Sequence, residues 1–304
     1  MSEERSGLDS VVIIGPGRMG LALGAALHHE QAIDRLTYFG RAVEPPPHPL
    51  FDRNPHPLEG EPEAAAEYRM LPALPPPGTT IVILAVPDDA LPEVVHDLAM
   101  MGAAPRGCAA LHLSGALSTD ALEPLHHRGY AIGSMHPLMA VADPWLAGER
   151  LVGAAFAMTG EPAAITAARR IVADLGGVPL TIPAVQRPVY HAAAVVASNY
   201  LVALMGAAVR MLGQAGIDEQ DAVRALMPLL RGTLDNIEQL GVRAAVTGPI
   251  ARGDVDTVRL HLARLSDEDR VLYCGLGLEL LRLARAAGLD ETRAAEIEAL
   301  LTSG

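Results

Sequence analysis

The sequence contains no lysine, so each of its 23 basic side chains other than histidine is an arginine. Mechanisms that need a lysine Schiff base or a lysine proton donor are therefore excluded within this chain. Histidine, which occurs 11 times, is left as a side chain that can exchange protons near neutral pH.

Positive charge is scarce overall. The 36 acidic residues outnumber the arginines and give a formal net charge of −13. Binding to nucleic acid needs clustered cations, so a nucleic-acid partner is excluded. The two cysteines, Cys108 and Cys274, each lie in an apolar run, which predicts buried thiols in a reducing compartment. No spacing of Cys and His typical of a metal site occurs, and no metal is predicted.

No apolar run approaches the about 18 residues that a membrane span needs. The first five residues, Met-Ser-Glu-Glu-Arg, lack the basic and apolar regions of a signal peptide. These absences predict a soluble, cytoplasmic protein with no membrane partner.

A glycine-rich turn near the start of the chain is the most informative motif. Four apolar β-forming residues run into Gly15, Gly17 and Gly20, with Arg18 and Met19 between the last two glycines. In a dinucleotide-binding unit such glycines allow a tight turn, a close approach of backbone to pyrophosphate, and close packing of helix on strand. The helix N-terminus then binds the anion. These five residues are predicted to hold the cofactor.

The next strand predicts which dinucleotide is bound. Residues 35–39 have the composition of a strand that ends in Gly40 and Arg41, about 20 residues past the glycine turn. Arg41 offers a guanidinium to a 2′-phosphate, which favours NADP(H). The alternative is a solvated arginine at a strand end, with Glu44 as the nearby acid that would favour NAD.

Further strands are predicted at residues 79–86, 108–113 and 131–135. In open α/β sheets, ligands bind beyond the carboxyl ends of the strands. The polar groups at these ends are therefore predicted to line one crevice, with the cofactor at Val86, Pro87 and Asp88 and the substrate at Ser114 and His136. His136 is alternatively an ordinary loop histidine.

Strand signals cease after Pro183, and only helical periodicity follows. The fold class is therefore α/β: an N-terminal Rossmann doubly wound sheet in residues 1–183, followed by an all-helical C-terminal domain in residues 184–304. Asp218, Asp254 and Asp290 are predicted N-caps. Proline clusters predict an irregular excursion over residues 44–78 with at most one short strand near 68–71. The apolar helical half predicts a homodimer.

One predicted helix carries polar side chains among small apolar residues. His191 and Ser198 share a face of this helix, and Asn199 lies beside them. Hydride transfer to a carbonyl or imine needs a proton donor, so we expect His191 to donate the proton while Ser198 and Asn199 orient the carbonyl. The alternative is a hydrogen-bonded core histidine.

A Gly- and Pro-containing loop, residues 247–254, is the second candidate segment. Arg252 could clamp a substrate carboxylate, with Thr247 and Asp254 beside it. The alternative is a simple helix–helix connection in which Asp254 only caps the next helix.

With these residues in hand, the chain resembles bacterial proteins that combine a Rossmann-like domain with a C-terminal domain of unknown function, DUF2520. The most specific matching segments are residues 112–115, 133–138, 191–204 and 247–254. The N-terminal half is also similar to the dinucleotide domains of coenzyme F420-dependent NADP reductases and pyrroline-5-carboxylate reductases. The resemblance implies this fold and a nicotinamide cofactor.

Ketopantoate reductases carry a lysine followed, after seven residues, by an asparagine, and His191 and Asn199 look similar at that spacing. The family's catalytic lysine would fall on His191, while Val195 departs from the family's intermediate asparagine. This resemblance implies a 2-keto acid substrate, such as ketopantoate. Prephenate dehydrogenases offer a competing likeness through His136 and Pro137.

The expected function is an NADPH-dependent reductase of a small carboxylate-bearing ketone or imine. The alternatives are a prephenate dehydrogenase-like enzyme and a dinucleotide-sensing protein without turnover.

Overall fold

The structure, a computed structural model, describes residues 9–52 and 64–303. The chain divides into two compact units, residues 1–198 and 199–304. The sequence predicts a domain boundary after Pro183, and the first compact unit extends to Ser198 and includes the helix that carries His191.

The first unit contains one eight-stranded sheet. Its strands are β1 (Asp9–Ile14), β2 (Ile33–Gly40), β3 (Glu67–Met70), β4 (Ile81–Leu84), β5 (Ala109–His112), β6 (Ala131–Pro137), β7 (Ala155–Gly160) and β8 (Val178–Thr181). The short strand predicted near residues 68–71 is present as β3.

The strand order is β3-β2-β1-β4-β5-β6-β7-β8. The direction of winding reverses between β1 and β4, so the crevice beyond these two strands is the expected ligand position. All neighbouring strands are parallel except β6 and β7, which are antiparallel. The predicted Rossmann sheet is confirmed. The antiparallel pair was not predicted, because a short buried apolar strand has the same composition in either direction.

Helices of the first unit cover both faces of this sheet. They are α1 (Arg18–His29), α2 (Leu91–Met101), α3 (Glu123–His126), α4 (Pro144–Leu151), α5 (Pro162–Asp174) and α6 (Arg187–Ala197). Successive residues of β1 alternate between two apolar clusters, with Val11 and Ile13 in one and Val12 and Ile14 in the other. Because both faces are buried, residues 11–14 of the strand are all apolar.

The described part of the second unit consists of helices and the loops that connect them. Its helices are α7 (Asn199–Gln214), α8 (Glu219–Leu240), α9 (Gly248–Ala251), α10 (Val255–Leu262), α11 (Asp267–Ala286) and α12 (Glu291–Thr302). Val258, Ile297 and Leu301 belong to a core shared by the last four helices. The predicted caps are confirmed, since Asp218, Asp254 and Asp290 each accept a hydrogen bond from a backbone N–H of the following helix. The all-helical C-terminal prediction is also confirmed.

One expectation about hydropathy was wrong. The helical stretch of residues 184–214 is long and apolar enough to cross a membrane, by length and composition alone, and it is the one such helix in the described part of the chain. Isolated polar residues, such as His191 and Asn199, break the apolar run without making its average polar. Almost none of this stretch is buried, and Val189, Val196 and Val202 are exposed.

Candidate active site

The glycine turn lies where β1 ends and α1 begins. Gly15 has φ of +103°, and a Cβ there would lie 2.6 Å from the carbonyl oxygen of Ala85 at the end of β4. A Cβ on Gly20 would collide with the carbonyl oxygen of Gly15. Gly15 and Gly20 therefore have to be glycine for the turn to form and the helix to pack.

Gly17 differs from both, because no atom lies within 4 Å of the position that its Cβ would take. It is the N-cap of α1 and supplies no side-chain acceptor to the helix. The N–H groups of Arg18 and Met19, at the start of α1, thus lie next to the space that Gly17 leaves open. Such a cradle fits the pyrophosphate of a dinucleotide, which helix N-termini and close backbone approach bind.

A cavity of about 590 Å³ extends from this turn along the carboxyl ends of β1, β2 and β4. Its lining includes predicted cofactor residues from all three strand ends: Gly15, Gly17, Gly40, Arg41, Val86 and Pro87. Asp88 is not in this lining, and its carboxylate instead accepts a hydrogen bond of 2.9 Å from Ser114 Oγ.

Arg41 lies at the end of β2, as predicted, and has a protein partner. Its Nη2 donates to Glu93 Oε2 at 2.8 Å, and both side chains are about two-thirds exposed. An exposed ion pair of this kind contributes little, about 0.2–1 kcal/mol. A phosphate at the same place would therefore compete with a weak partner.

A second group of polar side chains meets at the ends of β5 and β6. Helix α6 brings Arg187, Tyr190 and His191, which are spaced i, i+3 and i+4 and so share one face. We define the Arg187 cluster as His112, Ser114, Ser134, His136, Arg187, Tyr190 and His191. All seven lie in the first unit.

Arg187 is the buried centre of this cluster, with 1% of its surface exposed. Nη1 donates to Ser134 Oγ at 2.6 Å, Nη2 donates to the carbonyl oxygen of Ser114, and Nε has no partner. Nη1 also donates to Thr159 Oγ1 at 3.5 Å, and all three acceptors are neutral. The guanidinium therefore links the ends of β5 and β6. No carboxylate among the described residues forms a hydrogen bond with it.

His136 and His191 face each other, with ring centroids 5.9 Å apart and nearly perpendicular planes. A Cβ added to Gly115 would lie 2.5 Å from His191 Nδ1 and 2.9 Å from His136 Nε2, so both nitrogens converge on this glycine. His136 Nδ1 is 2.8 Å from the hydroxyl of Tyr190. The buried His191 Nδ1 has no hydrogen-bond partner among the described residues.

Burial and nearby positive charge favour the neutral forms of His112 and His136. Burial, followed by the charges of His191 and Arg187, lowers the pKa of His136 to about 4. Burial, followed by the charge of Arg187, lowers the pKa of His112 to about 4. Burial raises the pKa of Tyr190, so the phenol keeps its proton. The tautomer in which Tyr190 donates to His136 Nδ1 leaves the ring proton on Nε2, the nitrogen beside Gly115.

Three histidines at one place also suggest a metal site. However, among residues 9–52 and 64–303, no group of three or more His, Cys, Asp or Glu side chains has a geometry that could hold a metal ion. The chemistry that the arrangement allows is proton transfer and binding of negative charge.

The hydroxyl of Ser114 is fully engaged by the protein. Besides donating to Asp88, Ser114 Oγ accepts from the backbone N–H groups of Ala116 and Leu117. The structure therefore gives Ser114 a positioning role between the ends of β4 and β5, and its predicted contact with substrate stays a prediction.

The other predicted site residues lie outside this cluster. Ser198 follows the last residue of α6 and donates its backbone N–H to the carbonyl of Ala194. Asn199 opens α7 and belongs to the second unit. The roles assigned to Ser198 and Asn199 stay predictions.

The three loop candidates also belong to the second unit. The carboxylate of Asp254 accepts from the N–H and the hydroxyl of Thr257, which confirms its capping role. Thr247 precedes α9 without a side-chain cap, and Arg252 lines a cavity of about 340 Å³ together with Arg293. Contacts of these residues with a substrate stay predictions.

Sequence reasoning missed Arg187, Tyr190 and His112. A signal for Arg187 was available, since a cation in the first turn of a helix opposes the helix dipole and needs a reason to be there. His112 interrupts an otherwise apolar buried strand, which is also unusual. For Tyr190 we find no comparable local signal.

Comparisons with known proteins agree with this architecture. No curated protein matches the chain significantly. Among solved structures, protein TM1727 from Thermotoga maritima is similar with a TM-score of 0.65 and 21% identity, over 91% of this chain and 98% of that one.

Two further solved structures are of named enzymes. Plasmodium falciparum pyrroline carboxylate reductase, with NADP bound, has a TM-score of 0.58 and 13% identity, over 97% of this chain and 99% of that one. A reductive aminase from Aspergillus terreus, in complex with NADPH, has a TM-score of 0.52 and 16% identity, over 97% and 93%. At such identities the likeness concerns the fold.

Two family models match successive parts of the chain. Residues 72–137 match the Rossmann-like domain, and residues 154–280 match the domain of unknown function DUF2520. The second match covers β7, α5 and β8 as well as α6, so it begins inside the sheet of the first unit. The protein thus combines a Rossmann-like domain with a DUF2520 domain.

Proposed function

We propose that this protein is an NADP(H)-dependent oxidoreductase that reduces a small carboxylate-bearing ketone or imine. The observation that carries the proposal is the convergence of two histidine nitrogens on Gly115, at the ends of the same sheet whose first strand carries the glycine turn. The NADP and NADPH complexes among the structures of similar fold support the choice of cofactor.

The bound nicotinamide would supply the hydride. This chain has to supply the proton that completes reduction of a carbonyl or imine, and without lysine the half-buried histidines are the suitable donors. In the proposal, His191 donates the proton, since its ring has a buried nitrogen without a competing partner. His136, hydrogen-bonded to Tyr190, lies beside it as a second group able to hold a proton.

A second candidate is oxidation of an alcohol, as in the prephenate dehydrogenase-like alternative. It is favoured by the burial of His136 next to His191 and Arg187, which lowers the pKa of His136 to about 4. A histidine that is neutral at physiological pH accepts a proton, and removal of the hydroxyl proton is what alcohol oxidation needs.

Both candidates are tested by one assay. Protein and NADPH are incubated with a panel of 2-keto acids and cyclic imines, and protein and NADP⁺ with the matching 2-hydroxy acids, while nicotinamide absorbance is followed. Consumption of NADPH that needs the carboxylate on the substrate supports the proposal, and turnover only in the oxidative arm supports the second candidate. Tight NADPH binding with no turnover in either arm would contradict both and identify a dinucleotide-sensing protein.

We further propose a homodimer formed through the apolar helices. Val202 on α7 and Leu229 and Leu240 on α8 are all more than half exposed in the single chain. An apolar surface of this extent is typical of a protein interface. Light scattering should give twice the chain mass of 31.9 kDa. A monomer at micromolar concentration would contradict the proposal.

A matched pair of variants locates the interface. Leu229→Arg places a charge on α8 and should produce monomers, whereas Leu260→Arg, on α10 and also more than half exposed, should leave the dimer intact. Recovery of the whole protein in the membrane fraction would contradict a soluble dimer.

A further inference from the structure

The Arg187 cluster contains a buried positive charge without a bonded negative partner. The terminal nitrogens of Arg187 contact only neutral oxygens, and Nε is unpaired. A buried cation without a counter-charge is costly, and retained instances are commonly functional. The protein is strongly acidic overall, so the absence of a carboxylate partner in the described residues is not due to a lack of acids.

The charged and titratable groups around the histidine pair come from four elements of the first unit. Strand β5 brings His112, β6 brings His136, α6 brings Arg187, Tyr190 and His191, and the segment after β4 brings Asp88. The one acid in this set, Asp88, is held by the hydroxyl of Ser114. Asp88 acts by its charge on Arg187, whereas the charges that act on His136 are those of Arg187 and His191, and both are positive.

We infer that the Arg187 cluster recognises a small organic carboxylate, and that the anion enters together with a proton taken up by the His136–His191 pair. The inference rests on the proposed function only for the identity of the substrate. What the inference adds concerns protonation. Before the anion binds, the His136–His191 pair lacks the proton that reduction needs, and binding of the anion brings that proton in.

Electrostatics supports this coupling. Arg187 and the neighbouring histidine disfavour a second positive charge on His136 while the site is empty. A carboxylate beside the pair attracts positive charge and favours the imidazolium. His136, Tyr190 and His191 are half-buried, so each has part of its surface open to a ligand, whereas Arg187 is covered. Arg187 thus acts through its charge and its hold on Ser114, as a positioning residue.

The probe is oxamate, which has the shape of a 2-keto acid but is not reduced, with oxamide as its neutral counterpart. Binding is measured by calorimetry on the full chain, with and without NADP⁺, in two buffers of different ionisation enthalpy. We expect oxamate to bind at least about tenfold more tightly than oxamide. We also expect uptake of roughly 0.3–1 proton at about pH 6, which falls toward zero at about pH 8 as the complex itself loses the proton.

Three variants identify the groups. Arg187→Gln should lower oxamate affinity at least about tenfold and leave oxamide unaffected. Because loss of Arg187 could prevent folding, His136→Gln is the second test, and it should bind oxamate with a smaller proton uptake. His96→Gln, at an exposed position on α2, is the matched control and should behave as the unmodified protein does. Histidine ring NMR should show the His136 signal shifting toward the imidazolium form when oxamate binds.

Several outcomes would overturn the inference: equal affinity for oxamate and oxamide, no oxamate binding, oxamate binding without proton exchange, or equally tight binding of inorganic phosphate. The result is separable from the proposed function. Proton-linked oxamate binding in a protein that reduces nothing would sustain the inference and sink the function. Turnover of 2-keto acids without proton linkage would do the reverse.

Discussion

The glycine turn and the Arg187 cluster are the two candidate sites of the first unit, and they are built in opposite ways. The turn works by the absence of side chains: Gly15 and Gly20 leave room for neighbouring backbone, and Gly17 leaves room for a ligand. The cluster works by the presence of side chains, drawn from β5, β6 and α6.

This difference determines what each site tolerates. A backbone cradle depends on three positions that lie close together in the chain, so changing one of them affects binding of one ligand group. The cluster depends on Arg187, whose contacts reach Ser134 and Ser114, at sequence separations of 53 and 73 residues. Substitutions in the Arg187 cluster should therefore alter the charge of the site, proton transfer and the position of the loop after β5 together. Because substitutions in the glycine turn should affect one ligand group alone, experiments can separate the two sites.

The largest expected effect is on proton transfer. His191→Gln keeps a similar shape and a hydrogen-bonding group but cannot act as a general acid, so turnover should fall by about 10²–10⁴. NADPH affinity, measured by fluorescence, should be nearly unchanged because the glycine turn is untouched.

Thermal denaturation separates this from the alternative in which His191 is a core histidine. In that case stability should fall by about 1–3 kcal/mol, and activity should follow stability. A stable variant with normal turnover would defeat both interpretations and move the search for the proton donor to His136.

A pair of glycine substitutions should sharpen the contrast. In Gly17→Ala the new methyl group meets no protein atom, so the fold should be intact while dinucleotide affinity falls about tenfold or more, because the methyl group occupies the cradle. In Gly115→Ala the methyl group meets both histidine rings, so turnover should fall while dinucleotide affinity is kept.

Gly232→Ala, inside α8 with open space around it, is the control and should change neither quantity. If Gly17→Ala and Gly115→Ala lost the same function, the separation of the two sites would be wrong.

Smaller effects are expected on the preference for NADPH over NADH. They depend on the exposed ion pair between Arg41 and Glu93. Arg41→Ala should remove most of a preference for NADPH over NADH, which we expect to be roughly ten- to a hundredfold from a charge-assisted bond of about 1.5–3 kcal/mol.

Glu93→Gln should act in the opposite direction. By freeing Arg41 of its partner, it should strengthen NADPH binding by about two- to fivefold. Dissociation constants for both dinucleotides check the two variants, and equal affinities in the unmodified protein would remove the basis for Arg41 as the selector.

Much of the fold followed from local pattern. Asp218 is predicted as an N-cap, and α8 begins directly after it at Glu219, because the Asp218 side chain accepts a hydrogen bond from the N–H of Asp221. The short helices α3, α4 and α9 were not predicted, since four to eight residues give too little periodicity. The division of the long apolar helix at Ser198 was also missed, because Ser198 breaks the helix without any Gly or Pro.

The candidate sites followed the same rule. The glycine turn could be recognised because its determinants are adjacent in sequence. His136 and Ser114 could be placed together because parallel strands end at one edge. Arg187 and Tyr190 could not, because their importance comes from packing of α6 onto that edge, and no spacing within the sequence reports a contact between a helix and a distant strand.

Ser114 links these two regions physically. Its hydroxyl holds Asp88, which directly follows the cavity-lining residues Val86 and Pro87, and its carbonyl is held by Arg187. We therefore expect a ligand that moves Asp88 to shift the anchor of Arg187, which would give the two ligands a coupling free energy. Such coupling is reciprocal: whatever factor the dinucleotide applies to anion affinity, the anion applies to dinucleotide affinity. The dissociation constant of NADP(H), measured with and without a carboxylate, then measures how strongly the two ligands influence each other.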